Sequence, residues 1–136
     1  MTTHSERDDV DRWSRPSNAE IAAAWIRYQA GEHAPPWEDD DDWWAVDALM
    51  RLQLDDPLRA LETTFLIGRG STDLKVLEML GASPIEDLLS EDPTLFDAIA
   101  IEVRSNPGLR VALKSVWTNP QSRRDWGGNT CRILPL

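Results

Sequence analysis

The stretch "LSEDPTLFDAIAIEVRSNPGLRVALKSVW" (residues 89–117) decides how this chain is read. Asp92–Pro93 and Asn106–Pro107 each set a short polar residue in front of a proline. At the start of a helix the polar side chain can accept one of the unpaired N–H groups of the first turn. The proline has no N–H to leave unpaired, and its φ is already helical. Apolar residues follow each pair at helical spacing: Phe96, Ile99, Ala100 and Val103, then Leu109, Ala112, Leu113 and Val116. Toward the N-terminus the same punctuation occurs at Asp56–Pro57, followed by Leu58, Leu61 and Phe65, and at Ser83–Pro84, followed by Ile85, Leu88 and Leu89. "SPIE" (83–86) also has the spacing of a capping box, and a further helix over 72–80 is predicted to stop at Gly81.

Earlier still, Ser17 and Glu20 form another capping box ahead of Ile21, Ala24, Trp25 and Tyr28, a stripe that Gly31 ends. Residues 32–42 contain Pro35 and Pro36 and read as a loop. A second helix from about Asp42 to Leu54 turns Ala45, Ala48, Leu49 and Leu52 inward and pairs Asp47 with Arg51 outside. No alternating segment is long enough for a strand. The expectation is an all-α single domain of about seven short helices in consecutive antiparallel pairs, beginning near residues 17, 42, 57, 72, 83, 93 and 107. Its form is an irregular bundle or a HEAT-like stack. "DDPLRALE" and "EDPTLFDAI", 36 residues apart, hint at the repeat a stack would need. The expected divisions are a disordered acidic tail (1–15), a helical domain (16–120) and an Arg-containing extension (121–136).

Composition bounds the function. A length of 136 residues suits one domain, which at this size buries roughly 68% of its unfolded surface. The net charge is −10, and it is uneven: residues 1–68 carry 15 acids against 6 bases, whereas from Val103 onward six bases face only Asp125. Phosphate contacts need a basic face, so nucleic acid is a poor partner for most of this surface. A single cysteine, Cys131, makes no intrachain disulfide, and the polar start lacks the apolar core of a signal peptide. With no apolar run of spanning length, a soluble, cytoplasmic protein without a membrane partner is expected.

The blocks "WWAVDALMRLQLDDPLRALE" (43–62), "VLEMLGASPIEDLLSED" (76–92) and "NPGLRVALKSVW" (106–117) resemble the signature blocks of a bacterial family of uncharacterised small helical proteins. That family shows a Trp-led helix, an Asp-Pro helix, an LGAxPxEDLL turn-helix and a late Val-Trp. The resemblance covers about residues 20–120, implies one helical domain and transfers no catalytic residue. The Asp run at 39–42 and the arginines of 123–136 are less typical of it.

The candidate site is the acidic run and its tryptophans: Trp37, Glu38, Asp39, Asp40, Asp41, Asp42, Trp43 and Trp44. An EF-hand loop is excluded, because counting from Asp39 the required Gly and Glu positions hold Trp44 and Met50. A loose metal contact by Asp39–Asp42, a solvated cap on the next helix and an acidic docking surface are the remaining readings. Carboxylates beside tryptophans suit arginine-rich partners, since guanidinium groups pair with the former and stack on the latter. Of Trp43 and Trp44, one is expected in the core and the other over the Pro35–Trp37 loop. Catalytic motifs are lacking, "GRGS" (68–71) has no strand before it, and no cofactor or metal is implied. The leading expectation is a non-enzymatic acidic interaction module, such as an inhibitor or immunity-type protein that neutralises a basic protein, for example a toxin. The alternative is a small-molecule binder or carboxylate-using enzyme with a Trp-lined pocket between helices.

Overall fold

A computed structural model describes residues 15–117, and among them there is no strand. Seven α-helices follow in order: α1 (Asn18–Ala30), α2 (Trp43–Asp55), α3 (Pro57–Gly70), α4 (Leu74–Leu80), α5 (Glu86–Glu91), α6 (Phe96–Glu102) and α7 (Pro107–Trp117). Short 3-10 turns lie at Trp37–Asp39, Pro93–Leu95 and Val103–Ser105. All of the expected tail but Arg15, and the whole of the expected extension, lie outside the described residues.

Local chemistry explains most helix starts. The Ser17 hydroxyl accepts the Glu20 N–H at 3.1 Å while Glu20 accepts the Ser17 N–H at 3.3 Å, which is a complete capping box. Asp56, Asp73 and Asp92 accept N–H groups from Arg59, Lys75 and Thr94. Asn106 accepts from Leu109. Helix α4 therefore begins two residues later than the spacing suggests, behind Asp73.

One predicted boundary is absent. Ser83 caps nothing, because α4 and α5 are a single rod joined by a π-helical turn at Gly81–Ile85 with Pro84 inside it. Proline has no N–H for the α-helical ladder and crowds the preceding turn. The chain meets this by widening the turn rather than by stopping. Glu86 and Asp87 thus face no free helix N-terminus. Burial, and then Glu86 and Glu91, push the Asp87 carboxyl above its ordinary range, the opposite of what a helix dipole would do. Ser83→Ala should accordingly change stability by less than about 0.5 kcal/mol in a thermal melt, not the roughly 1 kcal/mol of a lost cap.

The apolar stripes meet in one core. Ile21, Ala24, Trp25, Ala45, Leu49, Leu52, Leu80, Ile85, Leu89, Ile99, Val103, Leu109 and Leu113 are all buried in it. The stripe of α3 departs from expectation, since Leu58 is 65% exposed while Thr63 and Thr64 are wholly buried. Both hydroxyls donate to carbonyls of their own helix, Arg59 O at 2.9 Å and Leu61 O at 2.7 Å, so the polar groups enter satisfied.

Helix α1 packs most extensively on α3, and also on α2, while α7 returns to pack on α3, α4 and the π turn. Asn18 meets Glu62 and Arg59 near the start of α3, and Ile26 meets Gly70 at its end, so α1 and α3 run in the same direction. A linear stack joins only neighbouring units. The return of α7 across three earlier elements makes this an irregular bundle, not a HEAT-like stack.

Candidate functional site

The loop between α1 and α2 carries the acidic run and is tied to the bundle at three points. Arg27 of α1 donates from Nη2 to Asp42 Oδ1 at 3.0 Å and from Nε to both carboxylate oxygens at 3.3 Å. That hydrogen bond and the carboxylate charge raise the guanidinium above its ordinary value. Lys75 Nζ donates to the Gly31 carbonyl at 3.0 Å. The third tie is aromatic. The His33 ring lies flat on Tyr28, with centroids 4.0 Å apart and planes at 17°, and Trp37 meets His33 edge-on at 5.8 Å. Tyr28 also meets Trp43 at 5.6 Å and 62°. The rings thus connect buried Tyr28 to exposed Trp37.

The eight candidate residues take different positions. Trp44 is half-buried against the core, and half-buried Trp43 meets the Tyr28 ring. Asp42 is committed to Arg27 and makes no side-chain cap to α2. Asp40 is half-buried, and its Oδ1 accepts the Asp42 N–H at 2.9 Å, closing a tight turn. Trp37, Glu38, Asp39 and Asp41 remain exposed. Burial raises the Tyr28 phenol above its ordinary value, and Asp40 and then Glu38 add to the shift. Those two carboxylates therefore lie on the side of the ring stack.

Tyr28, His33 and Arg27 belong to this site although sequence reasoning passed over them as site residues. Tyr28 reads from the sequence as part of the core-facing stripe of α1. Only a fold that brings the end of α1 beside the start of α2 joins them.

Among the described residues no three His, Cys, Asp or Glu side chains are grouped as a metal ion would need. Asp40 and Asp42 turn to a backbone N–H and a guanidinium. No described helix is long and apolar enough to cross a membrane. An open groove of about 440 Å³ lies between α1 and α3, walled by Ala19, Ala22, Ala23, Ile26, Leu66 and Gly70 with Arg27 at one end. It has no tryptophan.

Residues 32–127 match the model of a family described as "Family of unknown function (DUF6869)", and the chain belongs to that family. The match begins at the loop just described and leaves α1 outside. No curated protein and no solved structure matches the chain.

Proposed function

We propose that this member of a family of unknown function is a non-enzymatic interaction module whose acidic, tryptophan-bearing loop docks a basic protein. In its most concrete form it is an inhibitor or immunity-type protein of the bacterial cytoplasm that neutralises a basic toxin. The observation that carries this reading is the exposure of Trp37, 40% accessible, beside the exposed carboxylates of Glu38, Asp39 and Asp41. A partner's guanidinium can stack on that ring and pair with those carboxylates. The loop is held by the Arg27–Asp42 pair and the ring stack, so little ordering entropy is lost on docking. Glu38 and Asp39 stand four residues or more ahead of α2, beyond the first turn where a helix dipole is felt. A lone cysteine among 136 residues fits a reducing compartment.

A small-molecule role rests on less. The α1–α3 groove has the volume of a ligand pocket. However, its one charged group, Arg27, is already paired with Asp42.

The combined variant Asp39→Asn, Asp40→Asn and Asp41→Asn tests the docking face. The amide at position 40 keeps an acceptor for the Asp42 N–H, so the turn survives. Association with a basic partner captured from native lysate should slow about tenfold at low salt and lose most of its salt dependence. The melting temperature should stay equal or rise as mutual repulsion is relieved. Association at the wild-type rate with a markedly lower melting temperature would instead make the run a structural cap.

A further inference from the structure

We infer that the body built from α2, α3 and α4 is a helix receptor and that α1 is its ligand held in cis, so that a partner helix of the same chemistry competes for the seat. Helix α1 carries Ile21, Ala24, Trp25 and Tyr28 at i, i+3, i+4 and i+7, the anchor spacing of a helix laid into a groove. All four are buried, whereas Ala19, Glu20, Ala23 and Arg27 stay exposed. Polar groups fix both ends. At the head Asn18 donates to Glu62 Oε2 at 3.3 Å and accepts from Arg59 Nε at 2.7 Å, and Arg59 also holds the Pro16 carbonyl. At the tail Arg27 pairs with Asp42, and Lys75 donates to the Gly31 carbonyl. The competing helix is thereby specified: aromatic anchors at i+4 and i+7, an amide three residues before the first anchor and a cation at i+6.

Helix α1 is also set apart from what receives it. Its first turn is closed by its own capping box and needs no group of the body to start. Residues 31–42 join it to α2, a connection longer than the roughly 2–8 residues usual between bundle helices. The family match at 32–127 takes in α2, α3 and α4 and none of α1. A flexible tether holds a ligand at an effective concentration on the order of millimolar. The seat is therefore closed to weak competitors, and it opens to them in proportion as α1 is weakened. None of this draws on the exposed carboxylates of the loop, so the receptor stands without the basic-partner reading.

The test adds a fluorescein-labelled peptide of residues 15–31 to the full chain and reads its anisotropy. The wild-type chain should bind it weakly, because its own α1 holds the seat. Arg27→Ala in the chain frees one end of α1 and should tighten peptide binding about two- to fivefold, the size of one exposed ion pair. Trp25→Ala in the chain removes the largest anchor and should tighten it at least about tenfold, since truncating a buried tryptophan is among the costliest core changes. Saturating peptide should raise the melting temperature of the Trp25→Ala chain, and restore a cooperative melt if that chain does not fold alone. Trp25→Ala placed in the peptide instead should weaken its binding to every chain by at least about tenfold. Equal peptide binding by the wild-type chain and both variant chains would overturn the receptor. So would a Trp25→Ala peptide that binds as well as its parent, or an unfolded Trp25→Ala chain that the peptide does not restore.

Discussion

The Gly108→Ala variant should melt about 15 °C below the wild type, an effect out of proportion to one added methyl group. An alanine Cβ at this position would lie 1.9 Å from the carbonyl oxygen of Gly68 and 2.8 Å from its carbonyl carbon. Both are backbone atoms of α3, so no side chain can swing aside. Helix α7 must retreat by more than 1 Å, and it carries Leu109, Ala112, Leu113 and Val116, all buried to within 1%. Overpacking of this kind costs about 3 kcal/mol. For a domain near 100 residues, each kcal/mol lowers the midpoint by roughly 4–8 °C. Gly81→Ala meets the Ala112 carbonyl oxygen at the same 1.9 Å and should behave alike. Gly31→Ala is the control: its φ is −83° and its nearest neighbour, Arg27 O, is 3.4 Å away. It should shift stability by less than about 0.5 kcal/mol. A small change at Gly108 would mean that α3 and α7 do not cross with backbones in contact.

Those glycines show what the sequence could and could not convey. Ser17, Asp56, Asp92 and Asn106 announce their helices because capping is local, a side chain answering an N–H two or three residues away. The stripes of α1, α2 and α7 were legible for the same reason. The π turn was not, since "SPIE" has the letters of a cap and the turn packs on α7, where Gly81 comes close to Ala112, a contact far away in sequence. Nor were the buried threonines of α3, whose hydroxyls are satisfied inside their own helix. A periodicity count treats them as polar and chooses Leu58 in their place.

The site divides along the same line. The acidic run and its tryptophans stand out in composition, but their division of labour depends on contacts 15 residues apart or less regular still. Arg27 reaches Asp42 across the loop, and His33 inserts between Tyr28 and Trp37. Once Asp40, Asp42 and Trp44 are given to structure, the exposed part of the run shrinks to Trp37, Glu38, Asp39 and Asp41.

Asn106→Asp should destabilise the protein by about 2–3 kcal/mol at pH 7, although the letters "NP" and "DP" are interchangeable as helix caps. Asn106 is wholly buried and uses both ends of its amide. Its Oδ1 accepts the Leu109 N–H at 3.1 Å, which a carboxylate could also do. Its Nδ2 donates to the Phe65 carbonyl at 3.0 Å and to Glu102 Oε2 at 3.1 Å, which a carboxylate cannot. The substitution sets one carboxylate oxygen against two acceptors and adds a charge beside Glu102, which pairs with Arg69. The introduced carboxyl would therefore have its pKa raised in the folded state, by burial and by a like charge. A raised carboxyl binds more protons folded than unfolded, so the variant should regain stability as pH falls toward 4 and lose it as pH rises. Asp56 is an exposed cap of the same kind that accepts the Arg59 N–H, and Asp56→Asn should be close to neutral. Denaturant melts of both variants at pH 7 and pH 5 decide the matter. If Asn106→Asp matches the wild type at pH 7, the amide serves α7 alone and does not tie it to α3.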